Sequence, residues 1–83
     1  MKEQDYKILS LLHQEKNLTR VAEKLFISQP ALTYRVKKIE QEFGISLTKK
    51  FGKNIEFTPE GEYLIQFSNK ILHDIQNLKN SIS

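Results

Sequence analysis

Apolar positions recur at helical spacing through the first half of the chain, and the breaks between the stripes carry capping residues. Ile8, Leu9, Leu11 and Leu12, following Tyr6, predict a helix from about Asp5 to Glu15. Asn17 or Thr19 can accept a hydrogen bond from the free amides of a following first turn. A second, short helix is therefore expected from there to about Leu25, with Val21, Ala22 and Leu25 inward. Phe26 and Ile27 interrupt the pattern. Ser28 then offers another cap, and Pro30 falls in the first turn, where its missing N–H breaks no helical hydrogen bond. The third helix thus begins near Gln29. Its apolar positions Leu32, Val36, Ile39 and Phe43 step by four, three and four residues onto one side, leaving Thr33, Tyr34, Arg35, Lys37 and Lys38 elsewhere on the surface. Gly44 is a natural stop.

The pattern then changes period. Thr48-Lys49-Lys50-Phe51 and Ile55-Glu56-Phe57-Thr58 flank the turn residues Gly52-Lys53-Asn54, and Ile55 and Phe57 alternate with Glu56, which predicts a small β-hairpin. Thr58-Pro59-Glu60 reads as a helix opening: a cap, a first-turn proline and an acid at the positive end of the dipole. The last helix is expected from Pro59 to Leu78 or beyond, about 30 Å at 1.5 Å per residue. Along it Leu64, Ile71 and Leu78 lie seven apart, with Ile75, Ile82 and Phe67 near the same seam. One reading lays this helix along its own core. The part after Ile71 is expected to project past that core, which favours a parallel or antiparallel helix pair with a second copy, through Leu64, Phe67, Ile71, Ile75 and Leu78. The fold class is mainly α with a small hairpin, a winged helix-turn-helix at residues 1–58 followed by a linker or dimerisation helix at 59–83.

Composition sets the limits of this module. At 83 residues, 39% hydrophobic and without cysteine, the chain makes one small domain with neither disulfides nor cysteine-ligated metal to stabilise it. No apolar run approaches a membrane span, and the N-terminus lacks the pattern of a secretory signal, so no membrane partner and a cytoplasmic location are expected. The formal charge of +3 is unevenly spread. Residues 16–53 carry nine Lys and Arg against three acids, a net +6, whereas residues 1–15 net −1 and residues 54–83 net −2. A positive segment between acidic ones suggests a polyanion partner, with a solvated lysine-rich surface as the competing reading.

A short helix, a tight turn and a second helix with a polar, basic outer face match the helix-turn-helix, whose second helix enters the DNA major groove. Leu25, Ile27, Leu32 and Val36 are expected to fill the shared core, with small Ala22 allowing close helix approach. The hairpin, with Lys49, Lys50 and Lys53 at its turn, then serves as a wing. The run from Leu18 to Thr33, with Ser28-Gln29-Pro30-Ala31-Leu32 at its centre, resembles the signature of LysR-type transcriptional regulators. Ile39 to Leu47 is similar to that family's helix end and approach to the wing, and Phe57-Thr58-Pro59-Glu60-Gly61 to the start of its linker helix.

The resemblance implies sequence-specific binding of double-stranded DNA at an inverted-repeat operator by a homodimer joined through the linker helix. It places Gln29, Pro30 and Thr33 in the major groove and Lys53 at the minor groove. Glutamine can pair with an adenine edge, and proline or threonine carbons can meet a thymine methyl. Tyr34, where the family usually has arginine, joins the base-facing set but cannot make arginine's bidentate contact with guanine. Thr48 and Lys50 also depart from the family's usual phenylalanine and arginine. Arg35, Lys37, Lys38, Lys49 and Lys50 are expected at phosphates, together with the capping residues Thr19 and Ser28. The family's effector-binding domain has no counterpart in these 83 residues, so a small-molecule effector is not expected to bind here. The chain is expected to be the DNA-binding part of a longer regulator, with a naturally short relative as the alternative. No cofactor is implied. His13 and His73 lie 60 residues apart without a catalytic arrangement around them in sequence and read as ordinary helix residues, so no enzyme is expected. Gly44, Gly52 and Gly61 mark turns and boundaries, not a phosphate loop. A winged helix used only for protein contact is the remaining alternative.

Overall fold

Local capping decides where the helices begin and end. In a computed structural model of the protein, which describes residues 1–51 and 53–82, the order is α1 (Glu3–Glu15), α2 (Leu18–Leu25), α3 (Gln29–Phe43), β1 (Thr48–Lys50), β2 (Glu56–Phe57) and α4 (Pro59–Ile82). The turn glycine Gly52 lies outside the described residues. α1 starts two residues before the expected Asp5, because the Asp5 carboxylate accepts the Lys2 N–H at 3.0 Å and the Asp5 N–H donates to the Lys2 carbonyl at 2.9 Å. Asn17, not Thr19, caps α2, accepting the Arg20 N–H at 3.0 Å. Ser28 caps α3 by accepting the Ala31 N–H at 3.2 Å, and Gly44 closes that helix at φ 64°. Lys16 and Phe26 make the two interhelical joints at φ 53° and 57°, a region costing a non-glycine residue about 1–2 kcal/mol.

One core draws on the four helices, the residues flanking the hairpin and β2. Ile8, Leu9 and Leu12 of α1 meet Val21 and Ala22 of α2, Leu32, Val36 and Ile39 of α3, Leu47, Ile55 and Phe57 around the hairpin, and Leu64 and Ile65 of α4. Leu25 and Ile27 pack against this core while partly exposed. Phe43 departs from the expected inward set. It is 47% exposed as the last residue of α3.

β1 and β2 pair antiparallel, Thr48 opposite Phe57 and Lys50 opposite Glu56, with a register shift between the two pairs. The strands are shorter than the alternation suggested. Ile55 lies outside β2 because its N–H donates to the Lys16 carbonyl at 3.0 Å, which stitches the wing to the α1–α2 joint; Phe51 likewise falls outside β1. Thr58 then caps α4, accepting the Gly61 N–H at 2.9 Å while its hydroxyl donates to the Ser46 carbonyl.

α4 runs antiparallel to α1. His13 Nε2 lies 3.0 Å from Glu62 Oε2 near the start of α4, and Lys79 Nζ lies 3.3 Å from Glu3 Oε2 near its end. α1 therefore accompanies α4 well past Ile71, so the expected free projection of that half is corrected. Ile71, Leu72 and Ile75 are half-buried. Buried Ser68 completes the inward face by donating to the Leu64 carbonyl at 2.8 Å. At 24 residues, about 36 Å, α4 accounts for most of the 39 Å long axis.

Candidate nucleic-acid interface

The first turns of α3 present a single polar face. Gln29, Pro30, Thr33, Tyr34 and Lys37 follow the i, i+1, i+4, i+5, i+8 pattern of one helix side and line a shallow depression together with Leu18 of α2. Leu32, Val36 and Ile39 occupy the opposite, buried side, so burying the core fixes which residues α3 turns outward. Next to this depression a cleft is lined by Asn17, Thr19, Arg20, Gln29 and Lys53, with the acidic Glu23 also at its wall. The fold thus brings the wing residue Lys53 beside the N-terminal ends of α2 and α3, although more than twenty residues separate them in sequence.

The expected phosphate-contacting residues separate into groups. Lys37 shares the Gln29 face, whereas Arg35 and Lys38 line a second depression with Asp5, Ala31 and Tyr34 toward the start of α1. Arg35 Nη2 lies 3.6 Å from Asp5 Oδ1, and Lys38 Nζ lies 5.6 Å from the centre of the Tyr34 ring. Tyr34 lines both depressions and so stands on the ridge between them. Lys49 and Lys50 are exposed on β1. Ser28 keeps its hydroxyl on its own helix end, as the Ala31 cap. The Thr19 hydroxyl accepts the side-chain Nε2 of Gln29 at 2.9 Å, a bond across the α2–α3 joint that spacing alone did not indicate. Arg20 is a cation of this face that entered the sequence reading only as charge; its signal was its place in the first turn of α2, directly after Thr19.

On α4 the expected seam divides. Leu64 is 8% exposed and belongs to the core of its own chain, while Phe67 and Leu78 are exposed. Phe67, Tyr63 and Phe43 line an apolar groove with Ile45, Pro59 and Leu64, and of these Tyr63 had no place in the heptad pattern. His13 is more engaged than an ordinary helix residue: besides Glu62 it meets the Phe57 ring at 5.6 Å, tying α1, the hairpin and α4 together. Among the described residues no three His, Cys, Asp or Glu gather in a way that could hold a metal ion. Nor is any described helix long and apolar enough to cross a membrane. Glu3 has its carboxyl pKa held below the ordinary 4.5, first by its hydrogen bond to Lys79 and then by the charges of Lys79 and Lys7.

A three-helix head with its second and third helices joined by a tight turn, a two-stranded wing and a long following helix define a winged helix-turn-helix protein. Residues 4–62 match the family described as bacterial regulatory helix-turn-helix protein, lysR family. The chain belongs to the LysR family. It is similar over its full 83 residues, at 48% identity, to the uncharacterized HTH-type transcriptional regulator YraN of Bacillus subtilis (strain 168), spanning 29% of that protein. Over 65 residues, 78% of this chain, it is 32% identical to the HTH-type transcriptional regulator BenM of Acinetobacter baylyi (strain ATCC 33305 / BD413 / ADP1), 21% of whose length is matched. The crystal structure of the BenM_DBD/benA site 1 DNA complex superposes with a TM-score of 0.90 at 27% identity, covering 98% of this chain and 94% of that one. The chain therefore spans under a third of the length of these curated relatives.

Proposed function

We propose that this chain is the sequence-specific, double-stranded-DNA-reading part of a LysR-type transcriptional regulator. Residues 1–58 act as the reading head and 59–83 as the linker helix. α3 lies in the major groove, and the wing from about 48 to 57 meets the flanking minor groove or backbone. The observation that carries this reading is the outward face of Gln29, Pro30, half-buried Thr33, Tyr34 and Lys37 with Lys53 and Arg20 beside it. Polar groups able to reach base edges are ringed by cations able to meet phosphates, and neither set supports the core. Likeness to a protein solved bound to DNA supports the same reading. A cytoplasmic location belongs to the proposal, and the small-molecule effector is assigned to a part of the regulator outside these residues.

A homodimer through α4 completes it. The exposed apolar residues of α4 lie in two groups, Tyr63 and Phe67 near one end and Leu78 and Ile82 near the other. In an antiparallel pair with its two-fold axis between Leu72 and His73, Phe67 meets the partner's Leu78 and Tyr63 meets the partner's Ile82. Both groups are then covered by one isologous contact. A parallel pair leaves the aromatic end stacked on itself. Such a dimer sets two copies of α3 on successive major grooves, about 34 Å apart on an inverted repeat.

Binding selection from random duplexes at stated salt tests the function. The expected result is an enriched inverted repeat with half-sites about one helical turn apart. Recovery of unenriched sequence, with binding that depends only on salt, refutes it.

A further inference from the structure

We propose that Thr19 is a positioning residue that fixes which edge Gln29 shows to a base, and that it thereby makes this position read adenine and reject guanine. The inference rests on the DNA-reading function proposed above. Its basis is the 2.9 Å bond from Gln29 Nε2 to Thr19 Oγ1. Both partners are held by the helix ends that carry them: Thr19 follows the Asn17 cap of α2, and Gln29 is the first residue of α3 behind the Ser28 cap. Both side chains are exposed. A hydrogen bond between two exposed side chains adds little to stability, since water competes for both groups. What it does change is the orientation of a side chain that is otherwise free to rotate.

The chemistry of the amide gives that orientation a consequence. Glutamine offers one carbonyl acceptor and two N–H donors. With one N–H engaged by Thr19, the amide retains its carbonyl oxygen and the other N–H. That pair complements adenine, which needs an acceptor for its N6 amino group and a donor for N7. Guanine presents two acceptors, O6 and N7, on the same edge. An amide that faced both with N–H groups would need the donor that Thr19 already holds, and its carbonyl would otherwise confront O6 directly. Ordering Gln29 before DNA arrives also lowers the conformational cost of binding. Thr19, expected from its place at a helix end to serve as a phosphate contact, in this reading acts through Gln29.

The test uses the whole 83-residue chain and compares wild type with Thr19→Val, Thr19→Ser and Gln29→Ala. Each is measured on the selected duplex and on duplexes in which the adenine whose preference Gln29→Ala abolishes is replaced by guanine or by 7-deazaadenine. Wild type is expected to prefer adenine over guanine by roughly 5- to 150-fold, as for a good bidentate pair. Thr19→Val is expected to cut that ratio about fivefold or more, and Thr19→Ser, which restores the hydroxyl, to return it to within about twofold. The 7-deaza base is expected to weaken wild type more than Thr19→Val. Thermal melting of each variant separates loss of orientation from loss of fold, and Thr19→Ala, which also removes the hydroxyl, carries the comparison if Thr19→Val melts early. Equal weakening of the adenine and guanine duplexes by Thr19→Val, with the ratio unchanged, overturns the positioning role and returns Thr19 to a phosphate contact. A wild type without base preference at any position overturns the DNA-reading function itself, an outcome distinct from a defect confined to the Thr19 variants.

Discussion

Gly61 is where the linker helix touches the approach to the wing, and it offers a sharp test of how the two are joined. A Cβ built there falls well inside van der Waals contact with the Leu47 carbonyl oxygen and 3.0 Å from its carbonyl carbon. Both are backbone atoms, so no side chain can swing aside. Leu47 cannot retreat either, because its side chain is fully buried, its N–H donates to the Glu40 carboxylate at 2.8 Å and its carbonyl accepts the Thr58 N–H at 3.0 Å. Gly61→Ala therefore sets two effects against each other. Alanine favours the helix over glycine by up to about 1 kcal/mol. Forcing a methyl into a packed site costs about 1–3 kcal/mol, and stretching the Thr58–Leu47 bond costs about 1 kcal/mol more. The clash wins by roughly 2 kcal/mol, which for a domain of this size lowers the melting temperature by about 8–16 °C. Circular dichroism melts of Gly61→Ala and wild type measure it, with Gln66→Ala on the exposed side of the same helix expected to stay within about 0.5 kcal/mol. A Gly61→Ala protein that melts at or above the wild-type temperature refutes the close approach of α4 to Leu47.

Other substitutions separate the remaining roles. Gln29→Ala should relax base preference at one position, while Lys38→Ala should weaken all duplexes alike and lower the salt slope by about one; equal losses on specific and random DNA for both contradict that division. Ile71→Asp should break the α4 pair by placing an unpaired charge in the seam, beside the partner's Asp74, and a dimer retained in sedimentation moves the interface elsewhere. Phe26, 95% exposed at φ 57°, makes no use of its ring in the core, so Phe26→Asn should raise stability by about 0.5–1 kcal/mol by relieving left-handed strain; a lower melting temperature would show that the ring packs somewhere. Because the folded pKa of Glu3 is lowered, its contribution is present above the ordinary 4.5 and lost as pH falls through the lower folded value. Glu3→Gln should therefore flatten the acid side of the stability profile, and identical profiles for the two proteins count against the Glu3–Lys79 clasp.

Capping and periodicity are local, and they were legible without coordinates. Asn17, Ser28, Gly44 and Thr58 each meet a backbone group within a few residues, so their meaning does not depend on what packs elsewhere. The outward face of α3 follows from the same logic, since Leu32, Val36 and Ile39 claim the inward side and leave Gln29, Thr33 and Lys37 the other. The heptad along α4 is ambiguous at the level of sequence. An apolar stripe states that something covers it, not whether the cover is α1 of the same chain, as for Leu64 and Ile65, or a second copy, as proposed for Phe67 and Leu78.

The order of elements, the helix caps at Asn17, Ser28, Gly44 and Thr58 and the polar face of α3 were legible in the sequence alone, because capping and periodicity act within about four residues. The ends of the strands were not, since Ile55 leaves β2 for the Lys16 carbonyl. The tertiary structure decided which distant groups meet: His13 with Glu62, Asp5 with Arg35, Lys79 with Glu3, Ile55 with Lys16, and Lys53 beside Thr19 and Gln29. Those pairings depend on the angles at which helices cross around the core. Such angles are set by side-chain packing between elements, which no periodicity within one element encodes.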